Sequence, residues 1–427
     1  MGKILLLIAF ISIYYSGFTN FFVGGDDIWL YMSAPGGWDR VVALFADIGG
    51  TYRPIPFSLF SLYHLFSSNI TLMHWVPIIL HAINIVLVYL LAKQFSKSRL
   101  GAIVAAIMYG VSHIVFFDVF NLTGLVDQLF LLFGLGAIYT FNQKPRLSWL
   151  LFILAMFSKE SFVSVLLVIS YFLWKKRAKW KSWMWYWLPT VMYFAGKLLL
   201  YRQQGEAYSY GINLATLANN LFDYGLWLIN WRHGWQMGMP YPPHPLYDLV
   251  SVVYALLLGL AIWQVWKNKR KLFWSMLWWG VVGLLPFYFL GRALPFYLEF
   301  SLVGVAIMVG AGVRKRWWLG AMIMGLSIYM SMTTKAQWVE NSFSARGVQA
   351  AEQFREQVVD KYDWNQYNTL CLTGMGEYEL WSTGVAQELN LVQNETINIY
   401  INSEVSDKDC DRMNSVKIQF ESGNYLE

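Results

Sequence analysis

Charge is scarce in this sequence. Only 14% of its residues are Asp, Glu, Lys or Arg, against roughly 25% in an average soluble domain. A chain so poor in charge cannot clothe a globule of its length in polar surface, which argues against a water-soluble enzyme. Cysteine is scarcer still. Cys371 and Cys410 are the only two, so a cysteine-rich metal site and a multi-bridge disulfide scaffold are excluded. The two can pair once in an oxidising compartment or remain thiols. No P-loop, GxSxG or HExxH pattern occurs, which leaves ATPase, serine-hydrolase and zincin readings without support.

What the chain has in abundance is apolar length. Hydrophobic residues make up 57% of it, the mean hydropathy is +0.40, and aromatics reach 18%, with 22 Trp and 26 Tyr. Rings of that kind settle at membrane–water interfaces. Runs approaching the ~20 residues that cross a bilayer begin at Ile4 and end near Val23. They continue over about 72–92, 100–120, 125–142, 148–158, 160–174, 182–201, 247–266, 272–290, 294–312 and 317–334. The first run has no small-x-small cleavage site and ends in Phe18, Phe21 and Phe22, so it reads as an uncleaved span. The expected fold is an all-α polytopic membrane protein of about eleven spans over residues 1–334. A soluble α/β unit follows over 335–427.

The cations sort by side. Lys93, Lys97 and Arg99, then Lys144 and Arg146, Lys175 to Lys181, Lys267 to Lys271, and Arg314 to Arg316 fall on alternate loops. By the positive-inside rule those loops face the cytoplasm. The net charge of +6 is therefore topology and not a nucleic-acid footprint. The opposite side receives two long loops, about 24–71 and 202–246, and the tail. Trp38, Val41, Val42, Phe45 and Ile48 recur at helical spacing in the first; Leu214, Leu217, Leu221, Tyr224 and Leu228 do so in the second. Both read as amphipathic helices on the outer leaflet or as caps on the bundle. In the tail, Phe354 and Val358 fit a helix, and Thr369–Leu372, Ile397–Ile401 and Val416–Phe420 fit strands. No repeat of about 34 residues is visible there.

Candidate chemistry lies on that outer side. Gly25-Asp26-Asp27 places two carboxylates just beyond a span. Adjacent like charges raise one pKa unless cations or a metal compensate, so the pair is a base or a metal ligand. Arg53 (beside Tyr52 and Pro54), Lys159-Glu160 and Arg292 are charges on the side where cations are disfavoured. Either local carboxylates pair with them or they form an anion site, and a lipid phosphate is the anion most available. His113 and Asp127 sit near the outer ends of consecutive spans, with structural or substrate roles both open. His81 and Asn84, one turn apart inside a span, suit interhelical hydrogen bonding.

The ordered set resembles the GT-C membrane glycosyltransferases. It comprises the acidic pair in the first outer loop, Tyr52-Arg53-Pro54-Ile55, His81-x-x-Asn84, His113 with Asp127, Ser158-Lys159-Glu160-Ser161 and Arg292 with Leu294-Pro295. Within that superfamily it is similar to the protein O-mannosyltransferases and the repeat-bearing transmembrane O-mannosyltransferases, with their bacterial relatives. The resemblance spans about 1–340. It implies an integral protein of a bacterial inner membrane with its site on the periplasmic face. There a sugar would pass from a polyprenyl-phosphate donor to a glycan, lipid or protein acceptor. Asp26 or Asp27 would be the base of an inverting transfer, and Arg53, Lys159 and Arg292 would meet the donor phosphate. Tyr52, His113, Asp127 and Glu160 would complete the substrate surface. The residues demand no cofactor; in metal-dependent branches the acidic pair would hold a divalent cation such as Mg²⁺ or Mn²⁺. The tail lacks the tetratricopeptide repeats that would hint at a protein acceptor, and Ile114 stands where the repeat-bearing relatives commonly have Pro. A transporter or flippase of a lipid-linked saccharide would use similar grooves and cations. It would favour inverted repeats, of which none is visible. A polysaccharide polymerase or ligase differs chiefly in acceptor.

Overall fold

Backbone groups in hydrocarbon must be satisfied within their own segment, and the apolar runs accordingly become helices. The computed structural model describes residues 2–17, 52–63, 70–200, 213–231, 245–291, 293–341, 353–367, 369–373, 398–401, 415–421 and 424–426. In chain order the helices are α1 (Gly2–Tyr15), α2 (Pro54–Tyr63), α3 (Ile70–Ser96), α4 (Arg99–Gly110) and α5 (Phe116–Phe120). Next come α6 (Leu125–Thr140), α7 (Pro145–Met156), α8 (Phe162–Lys175), α9 (Trp180–Leu200) and α10 (Leu214–Leu228). The last are α11 (Pro245–Asn268), α12 (Arg270–Gly283), α13 (Glu299–Gly312) and α14 (Trp317–Asn341).

Helices form where the apolar runs predict them. Among the described residues, Leu72–Ser96, Leu122–Thr140, Leu246–Asn268 and Pro295–Gly312 are long and apolar enough to cross a bilayer. A fifth span exists if α4 and the 113–120 segment, bent by 45°, count as one. The bend has a local cause. The chain leaves α4 at Val111, and Ser112 restarts it by accepting a hydrogen bond from the Ile114 amide at 3.3 Å. α7 and α8 have 12 and 14 residues, about 18–21 Å at 1.5 Å per residue, short of the ~30 Å hydrocarbon thickness.

Burial grades the helices from axis to rim. The spanning stretch of α13 is 83% buried and that of α6 72%, against 28% for α11. α13 can sit at the axis because its neighbours approach without side chains between them. A Cβ on Gly101 of α4 would stand 2.2 Å from the Gly310 carbonyl oxygen of α13, and the reverse distance is also 2.2 Å. Polar groups complete the seams. His81 Nε2 meets the Gly110 carbonyl at 3.0 Å, the same oxygen that accepts from the Tyr15 hydroxyl at 3.0 Å. Asn84 donates to the carbonyl and side-chain oxygens of Gln128 at 3.0 and 2.9 Å. His81 and Asn84 thus do the interhelical bonding expected of them.

The two ends of the bundle differ in charge. Lys269 donates to the Ser96 carbonyl at 3.1 Å, Lys175 to the Lys271 carbonyl at 3.1 Å, and Lys176 to Asn142 Oδ1. The basic loops therefore meet at one end, and the ion pairs described below lie at the other. α10 forms where the second outer stripe predicts it, but with a different face inward. Asn220, Asp223, Tyr224 and Trp227 are buried, while Leu214, Leu221 and Phe222 are exposed. Asn220 decides this, donating to the carbonyls of Tyr288 and Leu290 at 3.1 and 2.9 Å. The first outer stripe, from Trp38 to Ile48, lies outside the described residues.

The tail carries a four-stranded sheet of β1 (Thr369–Thr373), β2 (Asn398–Ile401), β3 (Ser415–Glu421) and β4 (Asn424–Leu426). Their order is β2-β1-β3-β4, with β1 parallel to both neighbours and β4 antiparallel to β3. Phe354, Val358, Trp364, Leu370, Leu372, Val416 and Ile418 share one buried cluster with Phe57 and Phe60 of α2 and Leu125, Val126 and Leu129 of α6. Cys371 on β1 is disulfide-bonded, and Cys410, outside the described residues, is the only other cysteine.

The helix seam gives a direct test. Gly310→Ala forces a methyl into the α4 backbone, and overpacking of this kind costs about 1–3 kcal/mol. The melting temperature in detergent should fall by several degrees. Gly325→Ala in α14, where an added Cβ meets nothing within 4 Å, should leave it unchanged or raise it slightly. Equal responses would rule out the glycine contact as the reason for the close approach.

Candidate functional site

The described part of the site is built around a bend of five residues between α7 and α8. The helix ends when the Ser158 and Lys159 amides both turn to the Ala155 carbonyl, at 3.1 and 3.2 Å, and α8 restarts as Phe162 donates to the Lys159 carbonyl at 3.1 Å. Consecutive side chains in such a turn point apart, so Lys159 and Glu160 serve different partners. α2 starts against the same bend. Pro54 fills its first turn, where a missing N–H costs nothing, and the Ile55 amide donates to the Phe157 carbonyl at 3.3 Å. Tyr52 stacks edgewise on Phe157 at 6.2 Å, and the Tyr193 hydroxyl donates to the Tyr52 carbonyl at 3.3 Å.

Glu160 bridges two cations. Arg53 reaches its Oε2 through Nη2 at 2.9 Å and Nε at 3.0 Å, and Lys197 of α9 reaches Oε1 at 3.1 Å. Burial alone would raise the carboxyl; Arg53 and then Lys197 outweigh it and hold the group down at about 2. It is an anion at any physiological pH. Lys197 is the residue that sequence reading missed. It lies inside a run taken as a span, and its signal, a lone cation in apolar sequence, is the one that singled out Lys159.

Lys159 turns inward. It is 6% exposed, pairs with Asp127 in the first turn of α6, and lies 5.9, 5.6 and 5.6 Å from the ring centroids of Phe287, Phe296 and Tyr297. An ammonium between three aromatic faces and a carboxylate is held by cation–π attraction as well as by its ion pair. Below it lie further acids. Glu299, the first residue of α13, accepts from the Tyr109 hydroxyl at 2.8 Å and from Gln128 at 3.2 Å. Asp118 is fully buried and interacts electrostatically with Asp127, Glu299 and Lys159. A small cavity among Asp127, Ser161, Phe287, Tyr297 and Glu299 has room for about one water molecule.

The structure thus brings Arg53, Asp127, Lys159 and Glu160 together with Tyr52, and separates His113 from them. His113 is buried at the α4 break and lines a different cavity with Ser112, Trp227, Asn230, Tyr254 and Ser327. Asp26, Asp27 and Arg292 lie outside the described residues. Each described cation of the expected donor site is engaged by a carboxylate far away in sequence, 107 positions for Arg53–Glu160 and 32 for Lys159–Asp127. Within the ion pairs three cations, Arg53, Lys159 and Lys197, meet two carboxylates, Glu160 and Asp127, with Asp118 and Glu299 buried beneath them. Among the described residues no group of three or more His, Cys, Asp or Glu is placed to hold a metal ion.

Residues 55–198, which carry most of these groups, match the family described as dolichyl-phosphate-mannose-protein mannosyltransferase. The fold is similar to that of ArnT from Cupriavidus metallidurans in the apo state. That similarity has a TM-score of 0.53 and 10% identity, and covers 94% of this chain and 86% of that one. No curated protein sequence matches the chain. The family match covers about a third of the chain, and the likeness in fold extends over nearly all of it.

Glu160→Gln would leave Arg53 and Lys197 side by side without their anion. The side chains of Arg53, Glu160 and Lys197 are 18%, 27% and 14% exposed, so water screens part of the loss. Destabilisation of about 1–3 kcal/mol is expected, below the full cost of breaking a wholly buried pair. Adding Lys197→Met should recover part of it, and strictly additive losses would show that the two do not interact. The depressed carboxyl also sets a pH window. Its contribution is complete above the ordinary value of 4.5 and disappears as pH falls toward about 2. Acid melting curves of Glu160→Gln should lack that limb.

Proposed function

We propose that this GT-C-fold chain transfers a sugar from a polyprenyl-phosphate donor to an acceptor on the extracytoplasmic face of a bacterial inner membrane. The observation that carries the reading is the cation cluster of Arg53, Lys159 and Lys197, set at the end of the bundle opposite the basic loops. Lys159 and Lys197 lie within the segment matching dolichyl-phosphate-mannose-protein mannosyltransferases, and Arg53 lies just before it. A lipid-linked phosphate enters such a site from the bilayer with its chain against apolar helices and its charge among guanidinium and ammonium groups.

The residues suit a direct, inverting displacement. Asp26 or Asp27 takes the proton of the acceptor hydroxyl as that oxygen bonds to the anomeric carbon. The carbon–oxygen bond to the phosphate breaks on the opposite face, by analogy with inverting glycosidases. A departing phosphate is a weak base, so it needs neighbouring positive charge and no proton donor. Arg53, Lys159 and Arg292 would supply that charge as it develops. The salt bridges do not stand in the way: a carboxylate partner holds each cation in place until a phosphate competes for it. The aromatic rings around Lys159 keep it from swinging away. Should a divalent ion take part, Asp26 and Asp27 are the groups that would hold it.

Orientation has two supports. The basic loops gather at one end, which the positive-inside rule assigns to the cytoplasm. The disulfide at Cys371 suits an oxidising compartment, and its sheet shares a buried cluster with the site end of α2 and α6.

Asp26→Asn and Asp27→Asn, made separately, test the chemistry. Removing a general base costs about 10²–10⁴-fold in rate. One variant should lose transfer from a polyprenyl-phosphate sugar while retaining insertion and donor binding. Near-normal transfer in both would reduce the pair to a span terminus.

A further inference from the structure

The end of the bundle away from the site carries a cation cluster of its own. The loops after α3, α11 and α13 are far apart in sequence but are pulled together by bare backbone contacts. A Cβ on Gly312 would lie 2.1 Å from the Ala261 carbonyl oxygen, beside the Gly101–Gly310 contact. Lys269 is fixed there by its hydrogen bond to the Ser96 carbonyl, and it feels both Arg314 and Lys97 electrostatically. Burial, then those two like charges, push its ammonium below its ordinary range. Lys97 and Arg314 are exposed and make no ion pair among the described residues. The loops 93–99, 140–147, 174–183, 266–273 and 312–318 contain no Asp or Glu at all.

Topology alone does not ask for this arrangement. The positive-inside rule counts cations in loops; it does not require three of them to converge and repel one another. Helix C-termini favour nearby cations, but each needs only one. The backbone adds a further sign. Lys97 and Arg177 adopt φ of 54° and 51°, a left-handed conformation after a helix that favours Gly or Asn. Here it is occupied by cations. Aromatic rings mark the level of the membrane surface around the cluster. Trp266, Trp317 and Trp318 are 42%, 74% and 41% exposed, and Arg270 lies 5.6 Å from the Trp266 ring.

We infer that Lys97, Lys269 and Arg314 form a binding site for the phosphate headgroup of an anionic phospholipid in the leaflet facing the basic loops. The headgroup replaces the missing counter-anions, and the flanking tryptophans place it at the right depth. Such a lipid would tie together three helix pairs that otherwise repel at their loops.

The full-length protein in a neutral detergent tests this by melting temperature and by native mass spectrometry. Phosphatidylglycerol should raise the melting temperature and remain bound in the spectrum, whereas phosphatidylcholine should do neither. Lys97→Gln/Lys269→Gln/Arg314→Gln should weaken phosphatidylglycerol binding on the order of a hundredfold, about fivefold per cation. If that variant does not fold, Lys97→Gln/Arg314→Gln changes only exposed residues and should lose roughly twenty-fivefold on the same basis. Arg146→Gln/Lys179→Gln/Lys181→Gln removes equal charge elsewhere at the same end and should keep binding. Equal losses in both triple variants would mean diffuse attraction and overturn the site. Equal stabilisation by phosphatidylcholine would overturn its anion selectivity. An identical shift with millimolar inorganic phosphate would overturn the lipid assignment.

Discussion

An ionised side chain in an apolar surrounding must meet its opposite, and the head of this bundle is arranged by that requirement. Glu160 can be an anion among apolar helices because Arg53 and Lys197 reach it from α2 and α9. Lys159 can be a cation beneath it because Asp127 reaches it from α6. Taking away one partner of a part-buried pair such as Arg53–Glu160 costs about 1–3 kcal/mol, and its geometry is directional where apolar contact is not. The pairs therefore fix where α2 starts, how the α7–α8 bend lies and which way α9 leans. Aromatic side chains then fill in around charges whose places are already set.

The same requirement explains how much could be read in advance. Helix positions follow from runs of apolar residues and were legible. Where helices break or stop short was not, because hydropathy adds up along a run and does not sense the break at Ser112 or the shortness of α7. Charges out of place were legible one at a time: Arg53, Lys159 and Glu160 each stood out. Their partners were not, since the pairing depends on helix packing. Lys197 is hidden in a run that reads as hydrocarbon-facing. In α10, Asn220 sets the inward face through two backbone carbonyls, which no periodicity of Leu could reveal. His113, grouped with Asp127 by proximity in sequence, is carried to another cavity by the bend that follows α4.

The two ends of the molecule handle cations in opposite ways. At the site end Arg53, Lys159 and Lys197 are each met by a protein carboxylate, which keeps the groups ordered. At the other end the sequence supplies no carboxylates at all, and the loops are held together by backbone contact and by hydrogen bonds from lysines to carbonyls. Asymmetry of this kind gives the two ends of the bundle different electrostatic characters.

The buried cluster that joins α2 and α6 to the tail has a bearing on biogenesis. Phe57 and Phe60, just after Arg53, are covered together with Phe354, Trp364, Leu370 and Val416, residues the ribosome adds some three hundred positions later. A chain inserted as it is made can embed its helices early. The helix that follows Arg53 gains its full set of neighbours only after the tail has been translated and has folded against it. A nascent or prematurely terminated product would thus be membrane-embedded yet unfinished at this end, and the complete fold would come into being at the end of synthesis and not along the way.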